Sequence, residues 1–191
     1  MKYEDAARKV DALHKKVVAM NEEIAKVRRS AEPQAMKDYV FTRSTGDTAT
    51  WQDLFGGKKD LMVIHNMGRS CPYCTLWADG FNGVYLHLRD RAAFVLTSPD
   101  PPERQRSFAA ERGWRFPMAS HQGTTFADDM GYRRDGRALP GVSVLKRQGE
   151  RIIRVADTGF SPRDDFCSVW HFLGLLPEGA AGWLPKHAYA S

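Results

Sequence analysis

The sequence predicts an α/β fold: a mixed sheet with helices on both faces, preceded by an N-terminal helical arm. Three observations carry this. Leu61-Met62-Val63-Ile64-His65 and Ala92-Ala93-Phe94-Val95-Leu96-Thr97 are nearly continuous apolar runs separated by a helix-length segment. That is the pattern of two parallel strands joined by a crossover helix. Val142 to Arg147 and Ile152 to Ala156 flank Gln148-Gly149, a hairpin. Finally, Val10, Leu13, Val17, Met20, Ile24 and Val27 recur at alternating spacings of three and four, the mark of a helix with one apolar stripe.

That helix is expected over residues 4–29, and Ala31-Glu32-Pro33 ends it. Its stripe must be buried, either on its own domain or on a second subunit. A homodimer contact is favoured, and periodicity alone leaves both open. Tyr39-Val40-Phe41 reads as a strand, Thr45-Gly46-Asp47 as a turn before a second short strand, and Asp53-Leu54-Phe55 as a helical turn closed by Gly56-Gly57. The crossover helix runs from Pro72 to Leu88. After the second parallel strand comes a helix from Pro102 to Arg112, ended by Gly113, then a short strand over Arg115 to Ser120. Ser161-Pro162-Arg163-Asp164 has the capping Ser, first-position Pro and first-turn acid of a helix start, so a last helix is expected from there to Leu173. The domain boundaries that follow are an arm over 1–34, a main domain over 35–176 and an irregular tail over 177–191.

Composition excludes several classes. With 42% hydrophobic and 27% charged residues, the 191-residue chain has the balance of a folded protein and not of a disordered one. The net charge of +5 is spread along the chain, without a basic stripe interleaved with aromatics, so nucleic-acid binding is not expected. No stretch of eighteen apolar residues predicts a membrane span, and Met1-Lys2-Tyr3-Glu4-Asp5 lacks the apolar core of a secretion signal. A cytoplasmic location is the expectation. Three cysteines are too few for a secreted disulfide scaffold, and a close pair in a reducing compartment points to redox chemistry or metal binding.

The pair is Cys71-Pro72-Tyr73-Cys74, directly after a buried strand and at the start of a helix. The first turn of a helix carries unpaired N–H groups and a positive dipole end, so a thiolate at Cys71 is stabilised and made nucleophilic near neutral pH. Two intervening residues let Cys74 reach back to Cys71 within disulfide geometry. Cys71 is thus expected to attack a disulfide and Cys74 to resolve the mixed disulfide. A metal reading stands beside it. Cys167 and His171 are four apart on the expected last helix, and with Cys71 and Cys74 they make a set acceptable to zinc, although nothing in the sequence brings the two helices together. No metal or cofactor is therefore assigned.

The stretch from Leu61 to Cys74 resembles the thioredoxin superfamily, and Leu139-Pro140-Gly141-Val142-Ser143-Val144 resembles the loop and strand that carry its cis-proline. This resemblance implies a thioredoxin-like fold and makes Pro140 the cis-proline that faces the cysteines and orients substrate. Tyr39-Val40-Phe41, Asp53-Leu54-Phe55-Gly56-Gly57, Cys71-Pro72-x-Cys74-x-x-Trp77-Ala78-Asp79, Gly113-Trp114-Arg115-Phe116-Pro117 and Trp183…His187-x-Tyr189 are similar to a bacterial family of unknown function, described as predicted thioredoxin-like dithiol–disulfide oxidoreductases. The loop between His65 and Cys71 is shorter here than in many of that family. Cys-Pro-Tyr-Cys is also the glutaredoxin motif, but the Thr-Val-Pro glutathione segment is absent, since Leu139 precedes Pro140. Peroxiredoxins share the N-terminal hairpin and set a Thr three residues before their reactive Cys. Gly68 stands there in this chain, so peroxidase activity is not expected.

Thioredoxins place a buried acid where His65 stands, six residues before Cys71. A neutral imidazole there can move the proton of the second cysteine, or it can simply satisfy a strand hydrogen bond. Pro72 and Tyr73, inside the motif, and Trp77 and Trp114 are candidates for a substrate surface, with core packing the other use of both tryptophans. Arg69 and Arg133 can attract an anionic substrate or simply be solvated. The expected activity is dithiol–disulfide exchange on a protein or small-molecule disulfide, with a separate reductase as partner. The rival is a binding or structural module of the same fold whose thiols are structural or zinc-bound.

Overall fold

The structure is a computed structural model that describes residues 1–189. Its centre is β4 (Asp60–His65), paired in parallel with β5 (Ala93–Ser98) on one side and antiparallel with β9 (Gly141–Gln148) on the other. A strand with neighbours on both edges and helices above and below must be apolar on both faces. Leu61, Val63 and Ile64 are all buried. Parallel pairing continues to β6 (Met118–Ser120), which is followed by antiparallel β2 (Phe41–Arg43) and β3 (Thr48–Ala49). On the other side β9 turns at Gly149 into β10 (Arg151–Gly159), and β1 (Gln34–Ala35) closes that edge. The fold is the thioredoxin-like mixed sheet.

Two crossovers of the same hand put α3 (Pro72–Arg91) and α4 (Pro102–Arg112) on one face. There Phe81 and Tyr85 of α3 and Phe108 of α4 pack with Ile64, Phe94, Leu96, Trp114 and Phe116. The opposite face is covered by two short helices, α2 (Trp51–Phe55) and α5 (Phe126–Asp129). A capping box between Thr50 and Asp53 starts α2, and Gly56 ends it in the left-handed region at φ +51. Phe126 is fully buried at the middle of this layer. Its ring meets Phe41, Tyr39 and Trp51 edge-on, with centroids 5.1, 5.3 and 5.7 Å away.

α1 (Tyr3–Ser30) extends the expected helix by one residue at each end, and none of its residues is buried. Its last turn approaches the body, where Arg28 and Arg29 border Val155 and Ala156 of β10.

α5 and β1 have no counterpart in the sequence reading, and three further features differ from it. The last helix, α6 (Ser168–Leu173), starts six residues late. Asp164 is the reason: its carboxylate accepts the N–H groups of Ser161 (3.0 Å) and Phe166 (3.0 Å), which fixes a turn, and Arg163 sits at φ +76, outside helical space. A small hairpin, β7 (Arg133–Arg134) and β8 (Arg137–Ala138), turns through Asp135-Gly136. Both turn residues have positive φ, the type I′ pattern that Asp-Gly favours. The third difference is at Pro140, which is not cis: no cis peptide bond occurs among the described residues. Trans is the lower-energy X–Pro isomer unless the chain forces a tight turn. Here Leu139 donates to Tyr132 O (2.8 Å) and Pro140 O accepts from Phe160 N (2.9 Å), which tie the segment on both sides of the bond.

Phe126→Ala removes a fully buried ring and three edge contacts, and is expected to cost about 3–5 kcal/mol in guanidinium unfolding. A loss below about 1 kcal/mol would mean that the α5 layer is not packed as described.

Candidate functional site

β4 ends at His65, and α3 begins seven residues later. The short loop between them is tied down at several points. Asn66 donates its main-chain N–H to Thr97 O (2.9 Å), while its side-chain oxygen accepts from Gly68 N (2.7 Å). Gly68 has φ +100, and a Cβ there would lie 2.9 Å from the Asp100 carboxylate, so the position needs glycine twice over. The same carboxylate accepts from Arg69 N (2.7 Å). Cys71 N then donates to Gly68 O (3.2 Å), which brings the chain to the helix start.

Cys71 is the N-cap of α3, and Pro72 takes the first helical position. Both thiols are free, Cys71 half-buried and Cys74 buried. The Cys71 sulfur accepts the main-chain N–H of Cys74 at 3.2 Å, as an oxygen would at an ordinary cap. Met67 N donates to the Cys74 sulfur at 3.5 Å. The Cys74 thiol hydrogen-bonds to the Cys71 sulfur. With the N–H groups of Cys74 and Tyr73, and against partial burial, this lowers the Cys71 thiol to about 7. The same contact, with burial and the neighbouring negative charge, pushes the Cys74 thiol far up. One sulfur is thus readily ionised, and the other holds its proton.

The other predicted residues divide. His65 is turned away from the cysteines. Strand alternation puts Ile64 on the α3 face and His65 on the opposite one. There His65 stacks on Tyr132 (centroids 3.6 Å apart), lies near Phe126 (5.4 Å), and is hydrogen-bonded to Ser143 Oγ at 2.9 Å. Burial holds its pKa well below the usual imidazole value, so it is a neutral core residue. Trp77 and Trp114, 3% and 9% exposed, are also interior. Trp77 Nε1 donates to Asp164 (3.2 Å) and Trp114 Nε1 to Asp79 (2.8 Å), so neither offers a surface to a substrate. Pro140 precedes Gly141, which pairs with His65, and so lies at the same end of the sheet as the 66–70 loop. Arg133 is paired with Asp128 on the β7 side. Cys167 is buried in the α3-side core, whereas His171 is exposed. No group of three or more His, Cys, Asp or Glu among the described residues is close enough to hold a metal ion. The four-residue zinc set is not assembled.

Tyr73 does sit at a surface cleft, beside aromatic partners far from it in sequence. Its ring stacks on Trp170 (6.2 Å), and Trp170 meets Trp183 edge-on (5.5 Å). With Pro162, Arg163 and Leu184 they line a cleft of about 350 Å³. On the far side of α3, Arg69, Ser70, Arg104, Phe108, Glu111 and His187 line a second cleft of about 500 Å³. Arg69 is spoken for there, over the Phe108 ring at 5.0 Å and paired with Glu111 at 3.0 Å. His187 Nδ1 lies 3.4 Å from Thr75 Oγ1, which itself donates to Cys71 O (3.1 Å), and Arg112 anchors the His187 carbonyl at 2.8 Å. The tail therefore packs along the first turn of α3. The high density of aromatic residues after residue 166 was the signal for it.

The sequence pattern of DUF899, bacterial proteins of unknown function, matches residues 1–188. The chain belongs to this family. No curated protein matches it. Among solved structures, the DUF899 chain is similar to peroxidoxin BcpB from Mycobacterium tuberculosis, at 22% identity and TM-score 0.55 over 64% of this chain and 84% of that one. It is also similar to peroxiredoxin Q of Xanthomonas campestris (18%, TM-score 0.55, 63% and 79%) and to a proposed protein disulfide isomerase from Bacteroides thetaiotaomicron (20%, TM-score 0.54, 78% and 91%). At these identities the likeness is one of fold, and that fold is thioredoxin-like.

Because the Cys71 thiol ionises near 7 and not near its ordinary 9.0, alkylation of Cys71 by iodoacetamide is expected to rise to half its plateau near pH 7. Cys74 stays unmodified over the same range. A midpoint near the ordinary thiol value, or equal labelling of both residues by peptide mass, would contradict the geometry.

Proposed function

We propose that this protein is a thiol–disulfide oxidoreductase working through Cys71 and Cys74 in a reducing compartment such as the cytoplasm. The observation that carries this reading is the Cys71 sulfur at the N-cap of α3, accepting the Cys74 N–H at 3.2 Å. A sulfur so placed is ionised in large part near neutral pH and is an efficient nucleophile.

In the forward direction the Cys71 thiolate attacks one sulfur of a substrate disulfide. The substrate S–S bond breaks, a Cys71–substrate disulfide forms, and the other substrate sulfur leaves as a thiolate. Cys74 then gives up its proton, in balance to the departing thiolate, and attacks the Cys71 sulfur. The products are the Cys71–Cys74 disulfide and a reduced substrate that has gained two electrons, one of its sulfurs protonated by Cys74 and the other leaving as a thiolate that takes its proton from water. An external thiol reductant resets the pair. Pro72 and Tyr73 face the substrate, with Trp170 and Trp183 extending the apolar wall, and Pro140 borders the same end of the sheet. His65 has no part in the proton transfer, since its ring lies on the other face.

Insulin reduction by dithiothreitol tests this. Wild type is expected to accelerate it, Cys71→Ser to fall to the rate of dithiothreitol alone, and Cys74→Ser to accumulate a mixed disulfide visible on a non-reducing gel. Equal rates for wild type and Cys71→Ser, or stoichiometric zinc by metal analysis, would leave the structural-module reading in its place.

A further inference from the structure

α1 is 28 residues long, which at 1.5 Å per residue makes a rod of about 42 Å. It buries none of its residues. Leu13, Met20 and Val27 are 57%, 62% and 66% exposed. A helix in water draws most of its stability from packing an apolar face, so a rod with its stripe bare lacks its partner. The stripe says what the partner is. It repeats every seven residues through four heptads: Tyr3, Val10, Val17 and Ile24 at one core position, Ala6, Leu13, Met20 and Val27 at the other. A seven-residue repeat fits another helix wound around it, and a flat sheet or a globular body does not ask for one. The opposite face carries its own ion pairs, Arg8 with Asp5 and Lys15 with Asp11, and is already suited to water.

We propose that α1 pairs in parallel with α1 of a second copy of this chain, forming a two-stranded coiled coil that holds two dithiol bodies at one end. Three β-branched residues at the first core position, with Leu13 at the second, favour two parallel strands. The flanking positions agree. In parallel register Glu23 of each chain lies beside Arg28 of the partner subunit, one attractive pair on each side. The other flanking contacts, Lys9 with the partner's His14 and Lys16 with the partner's Asn21, carry no like-charge clash while the histidine is neutral. The point of attachment also fits. Arg28 and Arg29, in the last turn of α1, border the body, and the apolar stripe that precedes them is exposed to a partner.

Sedimentation equilibrium of the full chain is the test. Wild type is expected at twice the 21.6 kDa chain mass. Leu13→Glu is expected to be a monomer whose body unfolds at the wild-type temperature, because α1 supports nothing else in its own chain. Orientation is read by charge swaps. Glu23→Arg is expected to weaken the dimer about tenfold, and adding Arg28→Glu to restore it. A monomeric wild type, or a Leu13→Glu variant that loses body stability without changing mass, would overturn the proposal. So would rescue of Glu23→Arg by Lys9→Glu, the partner it would meet in a fully overlapped antiparallel pair. None of these outcomes depends on the redox reading, because mass is measured on the reduced protein.

Discussion

The Cys71 sulfur receives the main-chain N–H of Cys74 at 3.2 Å, and the geometry around it is arranged to make that contact. A sulfur can cap a helix only if the chain enters extended and turns at once. Here β4, held between β5 and β9, delivers the chain at a fixed height above the sheet. Asn66 and Asp100 then fold the loop down, through a glycine that no other residue replaces without meeting the Asp100 carboxylate. The main-chain N–H groups at the start of α3 are fixed before any substrate arrives. Stabilisation of the Cys71 thiolate is therefore built into the fold, and needs no reorganisation when the thiol reacts.

The same arrangement sets the two thiols apart. The contact between the two thiols favours charge on Cys71 and opposes it on Cys74, burial of Cys74 and the main-chain cap on Cys71 act in the same sense, and so two chemically identical groups take different roles. In such a site the histidine on the central strand is not needed to activate the nucleophile. His65 instead fills a space between Tyr132 and Phe126 and satisfies Ser143.

Much of this was legible in the residues. Continuous apolar runs gave β4 and β5, the 3–4 spacing gave α1 nearly to its ends, and the position of Cys71 after a strand gave its place at a helix start. What was not legible depended on direction or on competition. Alternation says that Ile64 and His65 face opposite ways, but not which face α3 covers. Ser161-Pro162-Arg163-Asp164 is a sound helix start by composition, yet Asp164 spends its carboxylate on a turn and on Trp77. Pro140 matched a cis-proline motif in sequence, whereas the hydrogen bonds of Leu139 and Pro140 hold an extended trans segment. The cleft beside Tyr73 joins residues about a hundred positions apart, which no local pattern reports. The DUF899 match runs through both the arm and the tail, so these belong to the family's plan and are not appended to a bare thioredoxin-like body.

The most direct measurement is a redox titration of the purified protein in dithiothreitol buffers, quenched with an alkylating reagent and read by peptide mass. Cys71 and Cys74 are expected to lose their thiols together, in one two-electron transition, with a disulfide linking them and Cys167 reduced throughout. Cys71 and Cys74 remaining as free thiols across the whole range, or Cys71 pairing with Cys167, would contradict the assignment of this pair as the working dithiol.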